Sequence, residues 1–258
     1  MPEISNQALF DAIDANDLRR VQQALADGIN ANAQDGDRNT ALMEAARIAT
    51  EKNDLKIMEV LLENGADPNL ESGRSGAPIH HAAYYNASTD LLQLQLKKGA
   101  NVNLQKQFNS STPLSKAVEG RNFEVTRLLL EHGADPNLEV EHDGATLHIA
   151  SYRGCGDEII NLLLANKANI NMKRSSDGVT PLYEAARGRE LKIAKKLLKE
   201  DSDLRIANNE REKFLHHAVR YRTLEFLDLF KWRNECPIDV NSMTSDNETP
   251  LMFAAKAG

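Results

Sequence analysis

One stretch decides the fold, and it occupies residues 112–137, which read TPLSKAVEGRNFEVTRLLLEHGADPN. A Thr-Pro-Leu start is followed by a short helical pattern, a polar break and a second helical pattern that ends in a glycine. The apolar residues of the second pattern recur at helical spacing and share one broad face: Phe123, Val125, Leu128, Leu129 and Leu130. The stretch therefore predicts two short helices joined by a tight loop.

The same pattern recurs along the chain. Exact or looser versions of the Thr-Pro-Leu start stand at Thr40, Ala77, Thr112, Ala145, Thr180, Lys213 and Thr249. Neighbouring starts lie 33 to 37 residues apart, and a degenerate copy begins at Gln7. A second landmark reads NGADPN at 64–69, KGANVN at 98–103, HGADPN at 132–137, NKANIN at 166–171 and PIDVN at 237–241. A period of this length indicates stacked structural repeats.

Each recurring residue has a physical role in such a unit. The Thr hydroxyl can cap a backbone N–H at the start of the first helix, and the following Pro suits its first turn. Paired small residues such as Ala185-Ala186 let two helices approach closely. Asp-Gly pairs such as Asp143-Gly144 predict the tips of projecting hairpins. Glycines suited to a left-handed C-cap follow the second helices, at Gly28, Gly65, Gly99 and Gly133.

These landmarks, taken together and in order, resemble the ankyrin repeat over essentially the whole chain. The resemblance implies an all-α repeat solenoid of stacked helix-turn-helix units with β-hairpin fingers. We expect a single ankyrin-repeat domain over residues 1–258, because one unit cannot bury its apolar face alone. Its approximate units are 7–39, 40–76, 77–111, 112–144, 145–179, 180–212, 213–248 and a partial unit at 249–258.

Three places depart from the pattern. The second unit carries extra residues around 49–53, which predicts a longer loop or an extended first helix. Landmarks are lost at Asp201, Arg205 and Lys213, so we expect weaker stacking over 200–214, through sequence drift or a functional hinge. The last residues read TPLMFAAKAG, and the apolar ones lack a following partner helix. We therefore expect an N-terminal fragment of a longer protein.

Composition narrows the classes of function. The chain carries a net charge of −7 and has a pI near 5.6, which argues against a general nucleic-acid binder. The sequence shows neither a secretory signal nor a long apolar run. Its two cysteines, Cys155 and Cys236, suggest neither a disulfide framework nor a zinc site. We expect a cytoplasmic protein, with the nucleus as the alternative, that does not insert into a membrane.

Motifs for catalysis are absent from the sequence. It holds no G-x-x-x-x-G-K-[ST] phosphate loop, no H-E-x-x-H and no G-x-S-x-G. The pairs His80-His81 and His216-His217 would chelate a metal poorly, because adjacent helical residues point about 100° apart. The resemblance makes the first His of each pair structural. Cys155 has no recognisable His and acid arrangement. We expect no enzyme activity, no cofactor and no metal site.

In ankyrin-like stacks, partners usually meet the concave side, built from finger tips and from first-helix positions five, eight and nine, counted from the motif Thr as one. Tyr and Arg, which are enriched at binding hot spots, cluster at positions eight and nine. The predicted partner-binding residues are Arg47, Tyr84, Tyr85, Tyr152, Arg153, Arg187, Arg220 and Tyr221. Packing between units is the alternative role. The expected partner is a protein or peptide with acidic or phosphorylated residues and an apolar anchor.

These features favour a non-catalytic protein-interaction scaffold or adaptor. Two alternatives place the stack in a larger protein: the substrate-recruiting arm of a ubiquitin ligase, or a regulatory domain of an enzyme whose catalytic part lies beyond residue 258. The resemblance also implies hydroxylation by an intracellular asparaginyl hydroxylase at matching turn asparagines. Those candidates are Asn69, Asn103, Asn137, Asn171 and Asn241.

Overall fold

The computed structural model describes residues 6–85, 87–221, 224–226 and 239–257. Short α-helices joined by loops make up the described chain. Their contacts group into two compact units, Met1–Ala134 and Asp135–Gly258, which we call unit 1 and unit 2. The expected single domain over 1–258 stays a prediction, and each unit is described by itself.

Unit 1 contains four helix pairs. They are α1 (Gln7–Asp14) with α2 (Leu18–Ala26), α3 (Ala41–Lys52) with α4 (Lys56–Glu63), α5 (Pro78–Tyr84) with α6 (Thr89–Lys97), and α7 (Pro113–Glu119) with α8 (Phe123–Glu131). First helices pack on first helices, α1 on α3, α3 on α5 and α5 on α7. Second helices form a second row, in which α2 contacts α4 and α6 contacts α8. The core lies between the two rows.

Unit 2 repeats this arrangement. Its elements are α9 (Thr146–Arg153), α10 (Asp157–Ala165), α11 (Pro181–Arg187), α12 (Leu191–Lys199), α13 (Phe214–Arg220), a 3₁₀ turn (Leu224–Phe226) and α14 (Pro250–Ala257). Again α9, α11, α13 and α14 pack in sequence, and α10 contacts α12. Most of the segment expected to form the second helix of the seventh repeat lies outside the described residues.

Helix starts follow from the local sequence. The Thr112 hydroxyl accepts the Ser115 N–H at 3.0 Å, and the Ser115 hydroxyl accepts the Thr112 N–H at 3.0 Å. The Thr40 hydroxyl accepts the Met43 N–H at 3.1 Å. Thr180 differs, because its buried hydroxyl has no hydrogen-bond partner among the described residues. The predicted Thr cap therefore forms at two of these three motif threonines.

Asparagine side chains tie each repeat to the next. In unit 1, Asn69 donates its Nδ2 to the Gly99 carbonyl at 3.0 Å and accepts the Asn101 N–H at 2.7 Å. In unit 2, Asn137 makes the same pair of bonds, to Lys167 at 3.0 Å and from Asn169 at 2.7 Å. The turn asparagines are therefore structural links between backbones.

The expected β-hairpin fingers are turns rather than hairpins of paired strands. Within the described residues they carry isolated antiparallel bridges, Gln34 with Thr40, Ser72 with Gly76, and Val140 with Gly144. The reason is length, because a finger that leaves one repeat and enters the next within a few residues has room for a single bridge.

Two departures from the repeat pattern are resolved by the structure. The extra residues of the second repeat extend its first helix, so α3 runs for 12 residues and is followed by the C-cap residue Asn53, whose φ is 52°. The last helix was expected to leave its apolar residues without a partner. Leu251 and Met252 are exposed, but Phe253 is buried with its ring 5.4 Å from that of His216.

The irregular segment 200–214 remains linked to the preceding repeat by hydrogen bonds, including one from the Asn209 N–H to the Asp177 carbonyl at 2.8 Å. Asn171 accepts the Asp203 N–H at 2.8 Å, and Leu204 is buried. Arg205, which stands in place of the turn asparagine, directs its guanidinium to the Asp203 carboxylate at 2.9 Å. The expected weakening of stacking here stays a prediction.

Candidate partner-binding surfaces

Unit 1 exposes two adjacent tyrosines at the end of α5. Tyr84 is 42% exposed and Tyr85 is 60% exposed, although most of α5 is buried. Their rings meet edge to face, with centroids 4.9 Å apart, and the Tyr85 ring lies 4.5 Å from that of His81. The pair is thus a braced aromatic surface rather than two independent side chains.

A cavity of about 250 Å³ opens beside this tyrosine pair. The Lys116 ammonium lies 2.8 Å from the Glu119 carboxylate and 5.9 Å from the Tyr84 ring centroid. Lys106 comes from the preceding finger, and its aliphatic stem lies so close to Gly76 that a Cβ there would be 2.8 Å from it. Burial lowers the pKa of Lys106, and the Lys116 charge lowers it further. The residues lining this cavity are Ser75, His80, His81, Tyr84, Tyr85, Lys106, Lys116 and Glu119.

Arg47, the remaining predicted binding residue of unit 1, is engaged by acids of its own unit. Its guanidinium contacts Glu44, lies 2.8 Å from Glu51 and lies 3.7 Å from Asp14. The hydrogen bond with Glu44 raises the pKa of Arg47. Three nearby carboxylates therefore compensate this cation before any partner arrives.

In unit 2 the structure brings two of the predicted residues together. Tyr152 is 45% exposed, and the Arg187 guanidinium lies 5.1 Å from its ring centroid. Arg187 also reaches the buried carboxylate of Glu184, at 3.3 Å. Arg153, next to Tyr152, is exposed. This geometry is a cation–π pair held in place by an ion pair.

A larger cavity, of about 500 Å³, lies in unit 2 and holds a buried ion-pair network. Arg174 lies 2.9 Å from Glu184 and 2.5 Å from Asp177, and donates to the His142 carbonyl at 3.0 Å. The Arg174 and Glu184 side chains are only 9% and 3% exposed. Although burial acts to raise the pKa of Asp177, the hydrogen bond from Arg174 holds it below its usual value.

A second polar cluster completes the wall of this cavity. Glu212 is buried, lies 3.0 Å from the His217 ring nitrogen and contacts the Arg220 guanidinium. Burial acts to raise the pKa of Glu212, but the hydrogen bond with His217 and the nearby charges lower it. Tyr183 is buried and stacks on His217 at 4.6 Å. Tyr221 is half-buried, with its ring 6.0 Å from that of His217.

The motif histidines act as backbone links, as expected. His80 bonds the Leu104 carbonyl at 2.9 Å, His148 bonds Val179 at 3.0 Å and His216 bonds Ser242 at 3.1 Å. Burial lowers the pKa of His80 to about 4, so this ring is neutral at pH 7. The described residues contain no group of three or more His, Cys, Asp or Glu that could hold a metal ion.

The structure also places the remaining sequence candidates. Cys155 is buried, whereas Cys236 lies outside the described residues. The turn asparagines Asn69, Asn103 and Asn137 use their side-chain amides in the links between repeats. Their hydroxylation, and that of Asn171 and Asn241, stays a prediction. No described helix combines the length and apolar character needed to cross a membrane.

Sequence reasoning missed the residues at position five. In successive repeats this position holds Glu44, His81, Lys116, Ile149, Glu184 and His217. Lys116 and Glu184 line the two cavities, and each shares its cavity with a basic residue of the preceding finger. The sequence did offer a signal for these residues, because position five is one of the first-helix positions expected on the concave, partner-binding side. Phe108, which lies on a finger and whose side chain is 60% exposed, was also missed.

Comparisons with known proteins agree with this architecture. The family description "Ankyrin repeats (3 copies)" matches residues 79–174 and 147–236, and "Ankyrin repeat" matches residues 37–72. The crystal structure of the ankyrin repeat domain of Bcl-3, a member of the IkappaB protein family, has a TM-score of 0.71 and 24% sequence identity. The match covers 86% of this chain and 95% of the Bcl-3 chain, and at this identity it shows the fold. Curated protein sequences gave no match.

The chain belongs to the ankyrin repeat family, since the family matches span more than half of its length. It is an all-α repeat protein, as the sequence predicted. Ankyrin repeats bind protein partners, so the chain is a protein-interaction domain.

Proposed function

We propose that the chain is a non-catalytic adaptor that binds a protein or peptide segment through exposed first-helix residues. The carrying observation is that tyrosines at positions eight and nine remain exposed on helices that are otherwise largely buried. At the end of α5 these are Tyr84 and the C-cap residue Tyr85, and in α9 it is Tyr152. A tyrosine ring offers a large contact area at a low cost in side-chain entropy, which suits a binding hot spot.

The predicted arginines divide into two groups by their contacts. Arg47 and Arg220 already contact carboxylates of their own units, so their charges mainly serve the fold. Arg187 also contacts a carboxylate, that of Glu184, but its guanidinium stacks on the exposed Tyr152 ring, and Arg153 is exposed beside it. We therefore assign binding in unit 2 chiefly to Tyr152, Arg153 and Arg187.

Selection from a random peptide display library tests this function with the whole chain. Peptides that bind the wild-type chain are synthesised, and their affinities are measured by fluorescence anisotropy against two variants. One is Tyr84→Ala with Tyr85→Ala, and the other is Tyr152→Ala with Arg153→Ala. Because hot-spot truncations cost about 2 kcal/mol or more, we expect at least one variant to bind each peptide roughly thirtyfold more weakly.

The control is Met243→Ala, which removes an apolar side chain of similar exposure (58%) from a finger. Circular dichroism of each variant establishes that the helices are retained. If selected peptides bind both tyrosine variants as tightly as the wild type, these surfaces are not where the chain binds and the assignment is wrong.

A further inference from the structure

The two cavities are built from equivalent positions of the repeat. Lys106 and Arg174 each stand three residues after a turn asparagine, and each donates its backbone N–H across its finger at 2.9 Å, to Ser111 and Val179 respectively. Lys116 and Glu184 each stand at position five of the following first helix. The same two backbone positions therefore bring a finger side chain and a helix side chain to each cavity.

The charges at these positions differ between the units. In unit 2 they form the buried ion pair of Arg174 with Glu184, at 2.9 Å. In unit 1 both positions are lysine, and Lys116 is paired with Glu119. No described residue makes an ion pair with Lys106 within 4.0 Å. The nearby Glu71 carboxylate accepts the Gln107 N–H, at 3.1 and 3.2 Å.

The walls of the unit 1 cavity suit a ligand with both an apolar body and a charge. Tyr84 and Tyr85 present exposed rings, and Ser75 adds a hydroxyl group. Two lysines against the single carboxylate of Glu119 leave an excess of one positive charge among the lining residues, while Glu71, whose charge also acts on Lys106, lies outside the lining and accepts the Gln107 N–H. One carboxylate would neutralise this excess. A phosphate, with a charge of about −1.5 to −2, would leave excess negative charge beside Glu119.

We infer that Lys106 and Lys116 bind a carboxylate side chain of the partner segment, an Asp or Glu whose neighbouring apolar residue packs on Tyr84 and Tyr85. This inference rests on the proposed function, because it assigns part of the partner's chemistry to one cavity. Charge complementarity selects the occupant, and the aromatic pair supplies the adjoining contact.

The probe for this site is 3-phenylpropionate, which combines an aromatic ring with one carboxylate. Binding to the whole chain is followed by NMR of the His81, Tyr84 and Tyr85 ring signals. The neutral 3-phenylpropionamide reports the ring contribution alone, and phenyl phosphate reports the alternative anion. We expect the carboxylate to bind about tenfold more tightly than the amide and more tightly than the phosphate.

Lys106→Met keeps an aliphatic stem over Gly76 and removes the charge, so we expect it to abolish the preference for carboxylate over amide. Lys97→Met, on the exposed side of α6, is the matched control and keeps the preference. Lys106→Glu is a second variant, which we expect to favour the amide. Equal binding of carboxylate and amide to the wild type, an unchanged preference in Lys106→Met, or tighter phosphate binding overturns the inference.

Failure here is distinguishable from failure of the proposed function. If display peptides lose affinity in the tyrosine variants while Lys106→Met keeps the carboxylate preference, the adaptor function stands and the carboxylate site is wrong. If the probe binds as expected but peptides bind the tyrosine variants as tightly as the wild type, the cavity binds carboxylates and the proposed function is wrong.

Discussion

The same two repeat positions hold residues with different roles in unit 1 and unit 2. In unit 2, Arg174 and Glu184 compensate each other inside the fold, and Asp177 and the His142 carbonyl complete the guanidinium's partners. In unit 1 the equivalent residues, Lys106 and Lys116, carry like charges. The difference shows that a charged residue in an ankyrin groove indicates a binding site or a structural ion pair only when the charge of the facing finger residue is also known. Opposite charges there stabilise the stack, whereas like charges leave room for a partner.

The largest expected effect tests whether the ion pair of Arg174 with Glu184 stabilises unit 2. Arg174→Met leaves the buried Glu184 carboxylate without its main partner, so we expect it to lower the free energy of unfolding by about 3 kcal/mol. Lys106→Met at the equivalent position breaks no ion pair, and we expect a change within about 0.5 kcal/mol. Urea denaturation of both variants measures the two values. Similar losses in the two variants would contradict the comparison.

Acid should destabilise the chain through the residue beneath the unit 1 cavity. The pKa of His80 is lowered to about 4 in the fold, against 6.5 when unfolded, mainly by burial. The unfolded chain therefore binds this proton first, so the stabilising effect is complete above pH 6.5 and is lost as the pH falls toward 4. We expect the protonation of His80 to lower the free energy of unfolding by about 2 kcal/mol at pH 5 relative to pH 7.

Denaturation at the two pH values, in the wild type and in His80→Gln, measures this contribution. The equivalent residue in unit 2 is His148, whose pKa is also lowered by burial, so its protonation adds a separate loss of stability in acid that His80→Gln leaves in place. The variant should lose most of the pH dependence assigned to His80. An NMR titration that gives His80 a pKa near 6.5 in the folded chain would refute the assignment.

The second helices offer a smaller effect of opposite sign. Gln95 in unit 1 is fully buried, and neither end of its amide has a hydrogen-bond partner among the described residues. Leu163 holds the equivalent position in unit 2 and is equally buried. Since an unsatisfied buried polar group costs about 1–3 kcal/mol, we expect Gln95→Leu to stabilise the chain by about 1–2 kcal/mol. Thermal denaturation of Gln95→Leu and of the wild type measures this change in stability.

Gln93→Leu, on the exposed side of the same helix, is the control for added apolar surface, and we expect a change within about 0.5 kcal/mol. A loss of stability in Gln95→Leu would show that the amide contributes to the fold and that the two positions are not equivalent.

Helix ends provide the smallest expected effect. After α8, unit 1 places Gly133 in the left-handed region, with φ of 84°, whereas unit 2 places Lys167 there after α10, with φ of 68°. L-residues other than glycine are strained in this region by about 1–2 kcal/mol, and glycine recovers part of this at an entropic cost in the unfolded chain. We expect Lys167→Gly to stabilise the chain by about 0.5 kcal/mol in urea denaturation. A destabilised variant would contradict this reading of the helix end.

Much of the fold was readable from the sequence because each landmark acts locally. The repeat starts mark the helix starts, the glycines and asparagines mark the turns, and residues 49–53 extend α3. Wrong or missing expectations involve groups from different elements. In the part of the chain that the structure describes, the fingers carry isolated bridges rather than paired strands, and Phe253 is buried against His216. The pairing of Arg174 with Glu184 depends on how a finger folds onto the following helix, which no local pattern specifies.

The candidate site was predicted in part for the same reason. Positions eight and nine identified the exposed tyrosines, because exposure at a helix end follows from periodicity. The residues beside them were not identified, since Lys106 and Lys116 become informative only when their cavity is seen and compared with its unit 2 counterpart.

The most direct test of this comparison is one site-resolved NMR titration of the whole chain with 3-phenylpropionate. Our account predicts saturable shifts of the His81, Tyr84 and Tyr85 rings and unmoved signals from Tyr183 and His217, whose cavity is lined by four carboxylates against three arginines. Equal shifts in both units, or shifts confined to unit 2, would contradict it.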